Sequence, residues 1–286
     1  MKKLLKIFLV LFLTGLAFVH FYVPRLITVI ETAQPKFQFS DVIDNGEMID
    51  FKSDDGLNLK AHIAFTSLDT VKGTVILIHG IRAYKEHFIQ LSQTLNNYGF
   101  NAVAVDLRAH GESEGTHCTF GAKEKHDIEN LVNELLKDVR IGENIGVWGQ
   151  SLGGVVAIQA MGHDSRIKFG IIESTFSSFP QITHDYFERM FGFNIEWFTD
   201  YLIWRAGSIA EFDPQEAMPK ELCKKISQRV LMVHGTEDKR IKMEYGVENF
   251  KSLASNVKRF MKIDGAGHLN VWKKVVRFIL KPFLIF

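Results

Sequence analysis

Along the chain, short unbroken apolar runs rich in β-branched residues alternate with longer segments whose apolar positions fall three and four apart. The runs are "GTVILIHG" (73–80), "NAVAVD" (101–106), Ile145–Gly149, Phe169–Ser174, "RVLMVHG" (229–235) and "VKRFMKI" (257–263). Runs of this kind suit strands covered on both faces of a parallel sheet. Between them, His87–Gly99 places Phe88, Leu91 and Leu95 on one helical face and ends at a glycine. Glu124–Asp138, Leu152–Met161 and "YGVENFKSLAS" (245–255) read as further helices, and a helix from Asn270 onward closes the chain. Ahead of them, "MIDFKSDDGLNLKAHIAF" reads as a hairpin turning at Asp55-Gly56. Strand and helix in alternation predict an α/β fold with a doubly wound sheet.

Two stretches break the alternation. From Phe176 to Gln228 some fifty residues separate two strands, with Phe176, Phe179, Tyr186, Phe187, Phe191, Phe193, Trp197, Phe198, Tyr201, Trp204 and Phe212 among them. So long and aromatic an insertion predicts a small helical cap over the sheet, spanning about 177–228. Extra core helices or a docking face for membrane are the alternatives. The second stretch is the N-terminus. Lys2, Lys3 and Lys6 precede an apolar run from Ile7 to Val23, interrupted only by Thr14, Gly15 and His20. About 20 apolar residues cross a bilayer as a helix. Residues 1–30 are therefore expected to form a transmembrane anchor. Gly15-Leu16-Ala17 offers a weak signal-peptide cleavage site instead, and a core helix is a third reading. Lysines ahead of the run place the N-terminus in the cytoplasm. The domain would then lie on the extracytoplasmic side, or be secreted or periplasmic after cleavage. A polar linker, 31–47, leads into a domain covering 48–286.

Composition narrows the class. The 286 residues carry a net charge of +1, which leaves no basic excess for a nucleic-acid partner. The two cysteines, Cys118 and Cys223, lie far apart and read as free thiols. No metal-ligand spacing is evident, so neither a metal nor a cofactor is expected.

The chemistry centres on "IGVWGQSLGG". A strand ends at Gly149, a helix opens at Leu152, and Ser151 stands between them as G-x-S-x-G. On so sharp a turn the neighbours two before and two after the serine crowd each other, which asks for Gly149 and Gly153. The turn lifts a hydroxyl to the carboxyl edge of the sheet, where open α/β sheets bind ligands. A serine nucleophile needs a base and an orienting acid, in the order Ser, Asp or Glu, His. Among the histidines well after Ser151, His184 falls in the insertion and His234 inside a strand, whereas His268 occupies the glycine-rich "DGAGHLN" loop. His268 is the expected base. Asp238, directly after a strand in "HGTEDKRI", is the expected acid, with Glu173 and Glu237 as rivals. The backbone N–H groups of Leu152 and Ile81 are the expected oxyanion donors. His79 reads as a buttress of the loop carrying Ile81.

"LIHG", "DLRAHGESEG", "GQSLGG", "HGTEDKRI" and "GAGH", in that order over about residues 50–275, resemble the α/β-hydrolase superfamily. The chain looks closest to serine-aminopeptidase-like and monoacylglycerol-lipase-like hydrolases. The resemblance implies an eight-stranded, mostly parallel sheet, a cap after strand six, and cofactor-free ester, thioester or amide hydrolysis. One departure is Ala109, where relatives usually carry glycine. The expected function is hydrolysis of carboxylic esters of a small-molecule or lipid acyl substrate. An aminopeptidase-like amidase, with Glu173 or Glu188 receiving the free amine, is the alternative. An inactive hydrolase fold used for binding is the rival from another class.

Overall fold

The computed structural model describes residues 1–32, 35, 37–268 and 270–274. Eight strands form one sheet: β1 (Gly46–Lys52), β2 (Asn58–Ala64), β3 (Gly73–Ile78), β4 (Phe100–Val105), β5 (Ile145–Gln150), β6 (Ile167–Glu173), β7 (Arg229–Gly235) and β8 (Lys258–Ile263). Their order is β1-β2-β4-β3-β5-β6-β7-β8. β1 pairs antiparallel with β2 and β2 antiparallel with β4, while every other pair is parallel. From β3 the chain goes next to β4 on one side and later to β5 on the other. That reversal opens a crevice at the carboxyl ends of β3 and β5, the favoured ligand site of such sheets.

The continuous apolar runs are buried as strands for the reason that marked them out. Every residue of β3 and β4 is buried, because helices cover both faces. α3 (Ile89–Asn97), α4 (Glu124–Leu135), α5 (Leu152–His163) and α9 (Met243–Ser252) supply the cover. α5 is apolar all round, and its ten residues from Leu152 to Met161 are all buried. Cys118 and Cys223 are buried free thiols. The closing helix starts at Val271, and beyond Lys274 it lies outside the described residues.

The polar linker is more structured than its composition suggests. Phe39 sits in a short 3-10 turn and stacks on His62 of β2 with ring centroids 4.5 Å apart. Its ring is 1% exposed, so the second half of the linker packs on the sheet.

The insertion after β6 folds as α6 (Phe179–Phe191), α7 (Glu196–Ala210), a 3-10 turn at Pro214–Glu216 and α8 (Pro219–Cys223). Ser178 caps α6 through its hydroxyl, and left-handed Gly192 ends it. Of the three helices, α8 packs beside α5 and α9 in the layer flanking the sheet. The insert's aromatics divide sharply. Phe176 and Phe179 are buried, whereas Phe191, Phe193, Trp197 and Trp204 are exposed.

At the N-terminus, α1 (Lys2–Phe21) leads through a short α2 (Arg25–Thr28). Within Lys2–Thr28 the most apolar 18-residue window has a mean hydropathy of 2.2 and is 0% buried, and the segment is long and apolar enough to cross a membrane. Where it meets the domain it is fastened. The Cys118 N–H donates to the Thr28 carbonyl, and Val29 bridges His117.

Candidate active site

Ser151 occupies a backbone position that L-residues avoid, with φ 56° and ψ −117°. Holding a non-glycine residue there costs about 1–3 kcal/mol, which the surroundings must offset. The Ser151 N–H donates to the Glu173 carbonyl at 2.9 Å, and its own carbonyl accepts from the Thr175 hydroxyl at 3.1 Å. The turn is thus bolted to the end of β6. It closes only because its flanks are glycine. A Cβ on Gly149 would stand 2.1 Å from the Gly153 carbonyl oxygen, and one on Gly153 would stand 1.9 Å from that of Ile78.

The side chains form one continuous run. Ser151 Oγ lies 2.9 Å from His268 Nε2, and His268 Nδ1 lies 2.7 Å from Asp238 Oδ2. Asp238 Oδ1 accepts from the Arg240 and Ile241 amides at 2.9 and 3.0 Å, so the loop after β7 presents the carboxylate rigidly. Burial works to raise the Asp238 pKa. Hydrogen bonds from His234, His268 and the Ile241 amide outweigh it and hold the carboxyl well below the usual range. An ionised carboxylate only accepts. His268 Nδ1 must therefore carry a proton, and in the neutral imidazole Nε2 accepts from the Ser151 hydroxyl.

The loop after β3 presses close to the serine, since a Cβ on Gly80 would lie 3.3 Å from Ser151 Cβ. His79 donates from Nδ1 to the Gly80 carbonyl at 2.8 Å and accepts the Leu107 amide on Nε2 at 3.1 Å. Burial, aided by the neighbouring His110, holds His79 neutral far below its usual pKa. It is a strut between two loops. Ile81, next along, is 41% exposed. Leu152 is the first residue of α5, where a backbone N–H has no intrahelical acceptor and faces outward from the helix end.

The other sequence candidates lie elsewhere. Glu173 sits beneath the turn, its carboxyl accepting from Trp148 Nε1 at 2.6 Å and from Gln150 at 3.3 Å rather than meeting His268. Burial pushes its pKa up to about 8. Glu237 and Glu188 are exposed on the surface. His234 is buried against the Ile241 carbonyl at 3.0 Å, and His184 pairs with Asp200 within the insert.

Several supporting residues carried no readable signal in the sequence. Buried Lys85 donates from its backbone and its ammonium to Asp106 at 2.7 and 2.9 Å, and its ammonium also pairs with Glu112. Arg108 clamps Asp127 on α4 through two 2.7 Å bonds and reaches Asp55 at 2.9 Å. Lys85 pins the "DLRAHGESEG" turn to the segment after β3, and Arg108 pins it to α4 and to the β1–β2 hairpin. Thr175 holds the catalytic turn itself, and Trp148 and Gln150 hold the carboxyl of Glu173 below it. Among the described residues, His126, Glu129 and His163 bring ligand atoms within 4.8 Å at the far end of α5, with Glu129 already bonded to His163.

A mostly parallel eight-stranded sheet bearing a strained serine turn after β5 is the α/β-hydrolase fold. Residues 69–203 match the family described as serine aminopeptidase, S33. An esterase of Pyrococcus furiosus superposes with a TM-score of 0.72 at 21% identity, covering 90% of this chain and 97% of that one. Est1E of Butyrivibrio proteoclasticus, solved with ferulic acid, superposes at 0.65 and 21%, over 82% and 97%. An uncharacterized protein of Bacillus subtilis, YqkD, is 26% identical over 58% of this chain and 55% of its own length. The caffeoylshikimate esterase of Arabidopsis thaliana is 30% identical over 33% of this chain and 30% of its own. The chain thus spans about half or less of these two relatives.

Proposed function

We propose that the protein is a membrane-anchored serine hydrolase that cleaves carboxylic esters, thioesters included, through Ser151, His268 and Asp238. The observation that carries this is the unbroken run from Ser151 Oγ through His268 to the ionised Asp238 carboxylate, with distances of 2.9 and 2.7 Å. His268 Nε2 takes the hydroxyl proton as Ser151 Oγ bonds to the acyl carbon. Asp238 stabilises the imidazolium so formed. The carbonyl oxygen becomes an oxyanion, which the Leu152 and Ile81 N–H groups and the N-terminal end of α5 stabilise. As the tetrahedral carbon collapses, its bond to the leaving oxygen or sulfur breaks, and His268 returns the proton to the departing group. Water, deprotonated by His268, then attacks the acyl-Ser151 ester and restores the enzyme.

An ester is favoured over a peptide amine. A free amine needs an ionised carboxylate, and Glu173 is buried, donated to by Trp148, and raised to about 8. α1 serves as an uncleaved anchor with the domain on the extracytoplasmic side, and α6–α7 serve as a cap beside the site.

A fluorophosphonate probe tests this directly. Wild type is expected to label, and Ser151→Ala to lose labelling. Asp238→Asn is expected to keep the fold and lose about 10⁴-fold in turnover, because the imidazole tautomer is no longer held. Full activity in Asp238→Asn with loss in Glu173→Gln would move the acid to Glu173. A folded wild type that neither labels nor turns over any ester would make the chain a binding protein on a hydrolase fold.

A further inference from the structure

The exposed apolar side chains of the insert are not scattered. Trp197, Tyr201 and Trp204 follow one another at helical spacing and share one face of α7. Trp197 is 74% exposed and Trp204 59% exposed. The preceding turn adds Met190 at 72% and Phe193 at 62%, with Phe191 and Ile195 between and after them also exposed. Soluble monomers rarely show so many large apolar groups together without a partner.

The same face holds the end of the anchor helix. The Tyr201 hydroxyl lies 2.6 Å from His20 Nδ1. The Arg205 guanidinium donates to the His20 carbonyl at 3.3 Å and stands 5.8 Å from the centre of the Phe21 ring. Trp204 lies beside this contact, its ring 6.0 Å from that of Tyr201. α1 runs for 20 residues, and at about 1.5 Å each that is about 30 Å, the thickness of a bilayer's hydrocarbon core. If Lys2 marks one surface, His20 and Phe21 mark the other. Tyr201 is tied to that level, and so are the tryptophans on either side of it. Tryptophan and tyrosine rings favour this depth, with an apolar body toward the acyl chains and a polar edge toward water.

We propose that the Trp197–Trp204 face of α7 and the Met190–Ile195 turn rest in the interface of the leaflet from which α1 emerges. The bilayer is the partner this surface takes, and amphiphilic esters dissolved in it are the substrate class. The turn also adjoins the catalytic loop. Arg189, just before Met190, donates to the carbonyls of Lys239 and Arg240 at 3.1 and 3.2 Å, next to Asp238. An acyl chain leaving the leaflet therefore meets an apolar rim on its way toward Ser151. This rests on the reading of α1 as an anchor and of Ser151 as the nucleophile.

The full chain is reconstituted in phosphatidylcholine vesicles brominated near the carbonyl end of the acyl chains, beside unbrominated controls. Brominated lipid is expected to quench the tryptophan fluorescence of wild type, and the quenched component to disappear in Trp197→Phe/Trp204→Phe. Protein retained through carbonate washing but unquenched overturns the docking face and leaves the anchor standing. Protein released by the wash overturns the anchor and the docking face together. Both tryptophans shielded from aqueous acrylamide, unquenched by lipid, and accompanied by a cross-linked dimer would assign the face to a second copy of the chain and overturn the proposal. In Trp197→Ser/Trp204→Ser, hydrolysis of a short water-soluble ester is expected to stay within about twofold of wild type. Hydrolysis of a long-chain ester held in vesicles is expected to fall about tenfold, equivalent to about 1.4 kcal/mol of lost interfacial contact. Equal change on both substrates overturns the delivery route, while loss of the soluble reaction already in wild type overturns the catalytic reading instead.

Discussion

The turn at Ser151 and the face of α7 lie in the same domain, yet opposite rules choose their residues. At the turn, space and backbone decide. Gly149 and Gly153 are glycine because a methyl group has no room, and the strained Ser151 is held by β6 through Glu173 and Thr175. On α7, nothing among the described residues covers Trp197 or Trp204, which stand exposed on the face that meets the end of α1. One region is dictated from inside the fold, the other by what lies outside it. Substitutions at the two are therefore expected to fail in different assays. Changes at the turn register in folding and chemistry in any solvent, and changes on α7 only where lipid is present.

The strongest way to break that contrast is Gly153→Ala. Its Cβ would meet the Ile78 carbonyl oxygen at 1.9 Å and the His79 carbonyl oxygen at 2.6 Å, both backbone. Relief requires α5 to move away from β3, carrying Ser151 out of line with His268. The expected result is activity below about 10⁻³ of wild type and a loss of about 3 kcal/mol in denaturant unfolding, as for an overpacked core. Near-normal turnover would show that the turn is looser than its contacts.

The same contrast explains what was legible beforehand. Alternating buried strands and amphipathic helices could be read because each must satisfy a periodicity that chain geometry imposes. Ser151, Asp238 and His268, which the structure brings together, stood out because each sits in a short turn at a strand's carboxyl end. Lys85, Arg108 and Thr175 were not legible. Their partners come from other elements and loops of the chain, and a lysine or threonine in a loop looks the same whether solvated or buried. The length and aromatic content of the insertion predict a cap. Composition reports that aromatics need an apolar neighbour, and only the structure divides those facing protein from those facing outward.

A pH dependence sharpens the account of the space beneath the turn. Glu173 is buried with Trp148 and Gln150, and burial raises it from 4.5 when free to about 8 when folded. A carboxyl that binds its proton more tightly in the folded state favours folding fully below about 4.5, and that contribution is lost as pH rises through about 8. Stability is therefore expected to fall by about 4 kcal/mol between those limits. Glu173→Gln, which stays neutral, should flatten the slope and leave turnover within a few fold. Denaturant melts at pH 5 and pH 8 decide it, and an unchanged slope in the variant would assign the titration elsewhere.

Ala109 supplies the smallest expected effect and tests the rule for the turn at a second backbone position. Its φ is 62°, in the left-handed region where a Cβ crowds the carbonyl that follows, and it is 8% exposed. Relatives of the fold usually place glycine there, and this chain keeps the backbone without the residue that suits it. The neighbouring bonds hold it: the Ala109 amide donates to the Glu114 carbonyl at 3.0 Å, and the His110 amide to that of Leu107 at 2.9 Å. Glycine would remove the steric cost and add disorder to the unfolded chain, with the first effect the larger where φ is positive. Ala109→Gly is thus expected to stabilise by about 0.5–1 kcal/mol, a rise of about 2 °C in Tm for a chain of this size. Turnover should not change, because the Arg108 clamp on Asp127 and Asp55 already fixes the turn. A drop in Tm would mean that the alanine methyl contributes packing beyond the strain it causes, and that the backbone does not choose residues here as it does at Ser151.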